Sequence, residues 1–290
     1  MTNTTHSDSS LRFLFEDADI RGEMVSLDAS LAQITGSHEY SSTVRELLGQ
    51  FAAAAVLISN NLKYRGRIVL QARSQSALSL VMVECTSNAE IRGIARGDIG
   101  AVASNPLTLV TGGQLALTIE RDGGQRYQGI VSVDANSLAT ALDDYFVQSE
   151  QLNTRFWLTS NGTSAAGMML QQLPAQRQQS AQDRQNQWEN AVVLAETVTP
   201  TELAELAPAM LLHRLFNEET LRLFEPQSVV FHCSCSRERS LNALASLPLE
   251  ELEDILTEQG VIDMTCEMCG APYRFNRIDI PGLAEPPVLH

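Results

Sequence analysis

Four of the five cysteines in this chain fall in two close pairs, Cys233-Ser-Cys235 and Cys266-Glu-Met-Cys269-Gly270, with thirty residues between them. Two such pairs folded together supply four thiolates at tetrahedral spacing, and a sulfur-only ligand set selects zinc over hard cations. One Zn²⁺ per chain, held by Cys233, Cys235, Cys266 and Cys269, is the expected cofactor. The competing reading is a pair of ordinary disulfides or buried free thiols, which fits a cytosolic chain less well. Thiolates are also the oxidisable form of cysteine, and each pair is close enough in sequence to close into a disulfide once the metal has left.

The first pair has one intervening residue where zinc ribbons usually have two, and the spacer exceeds the roughly 15 to 20 residues of common ribbons. The spacer must therefore fold. Ser236 and Ser246-Leu-Pro248 predict two helix starts, with Leu249, Leu252, Ile255 and Leu256 on one face and Gly260 as the stop. Val261–Thr265 and Tyr273–Phe275 predict a hairpin around Cys266 and Cys269. So short a segment has little apolar surface to bury, so its order should depend on the metal. His232 precedes the first cysteine, but four sulfurs already satisfy the ion. Cys85 follows the run Val81-Met-Val83 and reads as a buried core thiol. His6, His38, His213 and His290 are scattered, and no catalytic site is read.

Upstream, Ile68–Leu70, Leu78–Val83 and Leu115–Ile119 predict strands, while Val44, Leu47, Leu48 and Phe51 running on to Leu57, and Ser137–Phe146, predict helices. Strands and helices without regular alternation indicate an α+β fold. Tyr145–Gln151 reads as a structural helix end or domain contact, and Gly112-Gly113 and Gly123-Gly124 as turns. Eight glutamines crowd Gln171–Gln187 and suggest a linker or an exposed helix. From Trp188 to Phe224 the apolar spacing, with Pro200 and Pro208 as starts, predicts two or three short amphipathic helices, and Glu225-Pro226 ends them. The organisation expected is an N-terminal domain over 1–176, a helical linker over 177–231 and a small zinc-binding domain over 232–290.

Composition bounds the partners. The chain has 290 residues, with 35 acidic against 20 basic and a formal net charge of −15. The mean field repels phosphate backbones and anionic lipid headgroups. All the basic residues but Lys63 are arginine, a bias that genome base composition accounts for. The polar start Met1–Ser10 and the short apolar run Phe51–Ile58 predict a cytoplasmic protein that neither enters nor spans a membrane.

The residues also resemble a known family. The run Glu225-Pro-Gln-Ser-Val-Val-Phe231-His-Cys233-Ser-Cys235-Ser-Arg-Glu-Arg239, then Cys266-Glu-Met-Cys269-Gly270 and Tyr273-Arg-Phe275, is similar to the C-terminal region of the heat shock protein 33 family. Arg21-Gly22, Ile91-Arg-Gly93, Gln128-Gly-Ile-Val131, Tyr145–Gln151 and Ala165–Gln171 resemble that family's N-terminal motifs in the same order. The resemblance implies a redox-regulated holdase chaperone that needs no ATP and is inactive when reduced and zinc-bound. Oxidation with heat would pair Cys233 with Cys235 and Cys266 with Cys269, release zinc and unfold the linker. A homodimer would then hold unfolding client proteins. The apolar face of Trp188–Phe224 would be covered at rest and exposed on switching. Two other classes are weighed. A zinc-ribbon nucleic-acid binder is opposed by the charge, despite Arg237, Arg239, Arg274 and Arg277. A thiol-disulfide oxidoreductase using Cys266 and Cys269 lacks a βαβ setting.

Overall fold

Between Leu47 and Ile58 the only polar side chain is Gln50, and a helix apolar on every side is stable only when surrounded. The computed structural model, which describes residues 8–62, 64–133, 136–176 and 179–283, shows what surrounds it. His6, Lys63, Arg177 and His290, which enter the sequence reading, lie outside the described residues. The chain divides into two units, Met1–His232 and Cys233–His290.

The larger unit runs β1 (Ser9–Phe15), β2 (Ile20–Leu27), α1 (Ala29–Thr35), α2 (Ser42–Asn61), β3 (Gly66–Arg73), β4 (Leu78–Thr86), β5 (Glu90–Gly97), β6 (Gln114–Arg121), β7 (Arg126–Ser132), α3 (Leu138–Tyr145), β8 (Thr154–Ser160) and β9 (Ala165–Gln172). It ends with α4 (Ala181–Ala195), α5 (Pro200–Glu205), α6 (Pro208–Leu215), β10 (Leu221–Leu223), β11 (Gln227–Ser228) and β12 (Val230–Phe231). One sheet has the order β10-β1-β2-β9-β8, with β11 also on β1; the other has the order β12-β5-β4-β3-β6-β7. Helix α2 lies between them, started by Ser41, whose side chain accepts the Val44 N–H. Its residues Leu47 to Ile58, Gln50 aside, are buried with the inward residues Ile68, Leu70, Val81, Val83, Leu115 and Leu117 of one sheet and Val25, Leu27, Ala165 and Met169 of the other. The alanine run Ala52–Ala55 keeps both sheets close to its axis. The expected strands fall within β3, β4 and β6, one expected helix falls within α2 and the other coincides with α3 apart from Ser137 and Phe146, which flank it, and the fold is α+β.

On the exposed face of the second sheet, charge replaces apolar packing. Arg67 pairs with Glu84 at 3.2 Å and Glu120 at 2.6 Å, and Arg92 with Glu84 at 2.7 Å. The first sheet has no such face. Strand β9 is buried at every position but its last, because its second side is covered by α4–α6. There Trp188, Ala191, Ala195, Leu203, Leu211, Leu212, Leu215 and Phe216 bury Phe13, Phe15, Ile20, Met24, Met168 and Leu170. Pro200 and Pro208 stand at the first positions of α5 and α6, and Thr199 with Glu202 forms a capping box. This layer uses Gly22, opposite Phe13 in the register. A Cβ there would lie 2.1 Å from the Phe13 ring, so glycine lets the aromatic lie flat across the strand.

The glutamine-rich stretch differs from expectation at its start. Gln171 belongs to β9 and is buried, its amide oxygen accepting from Arg21 Nε at 3.0 Å and its amide nitrogen donating to Thr154 Oγ1 at 2.9 Å. A buried amide with both ends bonded is at home in a core, which composition alone does not reveal. Tyr145–Gln151 ends α3: one wide turn follows, closed by Gln151 at φ 54°. The Tyr145 ring rests on Gly129, where a Cβ would come within 2.5 Å of it.

The smaller unit holds α7 (Arg237–Leu244), α8 (Leu249–Gln259), β13 (Ile262–Thr265) and β14 (Pro272–Phe275). Ser236 caps α7 by accepting from the Arg239 N–H, and Gly260 stops α8 at φ 77°. Leu244, Leu252, Leu256, Ile262, Phe275, Ile280 and Leu283 form its core.

Candidate metal centre

The hairpin of β13 and β14 pairs Thr265 with Pro272, so its turn carries Cys266 and Cys269. Within that turn Gly270 N–H donates to the Cys266 carbonyl at 2.8 Å and Cys266 N–H to the Ala271 carbonyl at 2.9 Å. Gly270 takes φ 71°, a conformation that costs glycine nothing. The other pair precedes α7. Arg239 holds that approach by donating to the Ser234 carbonyl at 2.9 Å and to Ser234 Oγ at 2.7 Å. Arg237 pairs with Asp279 at 2.8 Å and lies 4.5 Å from the Phe275 ring centroid, tying the start of α7 to the end of β14.

The four sulfurs of Cys233, Cys235, Cys266 and Cys269 all lie within 4.8 Å of one another. Cys233 Sγ is 3.7 Å from Cys266 Sγ, and Cys235 Sγ is 3.4 Å from Cys269 Sγ. Each short approach joins one sequence pair to the other, as expected of a shared centre rather than of two separate local bridges. The set could hold one metal ion, and His232 is not part of it.

Their protonation shows why a cation suits them. Burial, with the neighbouring thiols adding to it, pushes the Cys269 thiol up to about 12. Burial also raises Cys235, but the Tyr273 hydroxyl and the surrounding sulfurs outweigh it and bring this thiol down to about 7. Thiolates this close oppose one another's charge. A divalent cation at the centre removes that opposition, so the donor set fits zinc.

The sequence places Tyr273 in the hairpin and in the family motif but gives it no role at the sulfurs. Its hydroxyl donates to Cys235 Sγ at 3.0 Å; only the β13–β14 register, which seats Tyr273 opposite Met264, brings it back to the first pair. Cys85 belongs to the larger unit, fully buried on β4, with burial pushing its thiol up to about 12. Such a thiol stays protonated and inert. Among the described residues no helix is long and apolar enough to cross a membrane.

Comparison with known proteins bears on this arrangement. The model of the Hsp33 protein family matches residues 8–276. A protein of Pseudomonas aeruginosa named 33 kDa chaperonin is 49% identical over 283 residues, covering 96% of this chain and 95% of its own. A protein of the same name from Ectopseudomonas mendocina is 50% identical over 283 residues, with the same coverage. The crystal structure of the 33 kDa chaperonin of Thermotoga maritima superposes with a TM-score of 0.82 at 22% identity, covering 96% of this chain and 98% of that one; it speaks for the fold.

Proposed function

Because the chain belongs to the Hsp33 protein family, a family of chaperones, we propose that it is a redox-regulated holdase that binds unfolding proteins without ATP. The observation that carries this reading is the convergence of four sulfurs within 4.8 Å on a unit with a small apolar core. Cys233, Cys235, Cys266 and Cys269 are the proposed zinc ligands and the proposed redox pairs, Cys233 with Cys235 and Cys266 with Cys269. Zinc, when bound, would keep all four sulfurs as thiolates.

The chain's own residues supply the rest. Oxidation turns four ligands into two disulfides, which leave no thiolate to bind a cation, and the smaller unit is left with its small apolar core. Residues 232–290 thus act as the switch. In the segment just before it, β11 and β12 make two residue pairs each, with β1 and β5, and Val229 between them is buried in the core. Loss of order in the switch would spread along the chain into residues 177–231, the proposed linker, and lift α4–α6 from β1, β2 and β9. The surface so freed, centred on Phe13, Phe15, Met24 and Met168, is broad and apolar, as a holdase requires. Residues 1–176 form the proposed chaperone and dimerisation domain, and the active species is a cytoplasmic homodimer bound to clients.

The test compares reduced, zinc-loaded protein with protein treated with peroxide at raised temperature, following zinc content, free thiols and aggregation of an unfolding client. Protection that arises only after treatment, together with zinc loss, is expected. Full protection by reduced protein, or none by oxidised protein, would overturn the regulation proposed.

A further inference from the structure

Where the α4–α6 cover meets β8, α2 and the start of α3, twelve residues line a cleft of about 260 Å³, and none of them is charged. Phe156 and Leu158 form apolar wall on the side of the sheet, and Val198, Pro200 and Leu203 on the side of the cover. Three of the polar side chains are committed to helix starts. Asn105 accepts from the Leu107 N–H, Ser137 from the Thr140 N–H and Thr199 from the Glu202 N–H. Two amide groups at the wall are not so committed. Gln50, the one polar side chain between Leu47 and Ile58, has no hydrogen-bond partner among the described residues.

The backbone of Leu158 is the other. Strand β8 is the outer strand of its sheet. Asn161 N–H donates to the Ser164 carbonyl and Gln172 N–H to the Asn153 carbonyl, so Arg155, Trp157 and Thr159 turn their N–H and C=O toward β9, and Phe156 and Leu158 turn theirs outward. The Phe156 N–H is taken by the Asp143 carboxylate at 2.8 Å. A further strand therefore cannot add along this edge, and Leu158 is left as a single open position.

Each of these groups offers a donor and an acceptor, and the complement of that pair is another neutral amide. The cleft exceeds the roughly 150 Å³ that takes one benzene ring, and its lining has no charge to offset the lost hydration of an ion. We propose that the cleft binds a neutral primary amide carried on a single apolar ring, with the amide toward Gln50 and Leu158 and the ring against Phe156 and Leu203. Because its walls come from both the cover and the sheet, the site exists only while α5 lies on β8, and occupancy favours the closed form by mass action. This consequence for regulation rests on the proposed lifting of the cover; the binding does not.

The experiment titrates the isotope-labelled full chain, reduced and loaded with zinc, with benzamide, and with benzoate and benzamidine as charged molecules of the same shape. Benzamide should shift the Gln50 side-chain and Leu158 backbone amide resonances, with half-saturation at about millimolar concentration. Both charged analogues should bind at least about tenfold more weakly. Gln50→Leu, an apolar change on an apolar helix, should keep the fold and weaken benzamide binding about threefold to tenfold. An equal response to all three molecules, shifts confined to other regions, no saturation, or undiminished affinity in the folded variant overturns the site and leaves the zinc switch untouched. At about ten times the half-saturating concentration, amide exchange in α5 should slow about tenfold, and client protection after peroxide should set in later. Binding with unchanged exchange in α5 overturns the coupling to the cover. Slowed exchange with no delay in protection counts instead against the lifting of the cover as the activating step.

Discussion

Cys269 and Glu23 show opposite ways in which a single side chain becomes indispensable. Cys269 is one of four sulfurs around a common point, and Cys269→Ser leaves three thiolates with a hydroxyl in the fourth place. Zinc affinity, measured by chelator competition, should fall by more than the roughly 10–100-fold that follows loss of a supporting hydrogen bond; unchanged affinity would contradict the ligand assignment. Glu23 matters through burial. It is fully buried on β2, where its two carboxylate oxygens accept from the side-chain amides of Asn60 and Asn61, each at 2.7 Å. Burial dominates over these bonds and over Arg12 and Arg21, raising the group from 4.5 to about 7. A raised folded value means that the folded chain holds the proton more tightly. The stability it contributes is therefore full below about 4.5 and is lost as pH rises through about 7. Glu23→Gln should flatten this part of the pH dependence of the thermal midpoint, and an unaltered slope would assign the dependence to other groups.

At the scale of elements, α4–α6 are held by few large contacts. Leu211 and Leu212 in α6 are each 1% exposed, and truncating such a side chain costs about 2–5 kcal/mol. Leu212→Ala should therefore loosen this cover selectively. Amide exchange is expected to quicken in α4–α6 while β3, β4 and β6, built around α2, keep their protection. Partial client protection without peroxide should accompany it. If exchange quickens equally throughout the larger unit, the cover is not a separable element. These helices were legible locally, since Pro200 and Pro208 mark helix starts within one turn; the Thr199–Glu202 box emerged only in the structure. Their shared partner was not: Phe13 and Phe216 have ring centroids 6.3 Å apart across most of the larger unit's sequence, and no short window contains both.

For the molecule as a whole, the two units differ in what holds them together. The larger has a helix enclosed by two sheets, whereas the smaller relies on a small core and four sulfurs. Structural zinc contributes about 10–16 kcal/mol to such domains, more than a core of this size supplies. Chelation under reducing conditions should collapse amide protection in residues 233–283 and leave that of α2 and its flanking strands in place. Protection that survives metal removal in the smaller unit would show that its core suffices.

The sequence by itself determined what could be decided within a few residues: the sulfur pairs and the metal chemistry they suit, the caps at Ser236 and Gly260, and the apolar periodicities of α2 and α8. These are encoded by residue type and short spacing, which act locally whatever the rest of the chain does. Only the tertiary structure decided that both faces of β9 are buried, that Gln171 is a core residue, that α4–α6 lie on β1, β2 and β9, and that Tyr273 meets Cys235. Each of these depends on which distant surfaces are complementary in shape and hydrogen bonding, a property of the assembled chain that no local pattern carries.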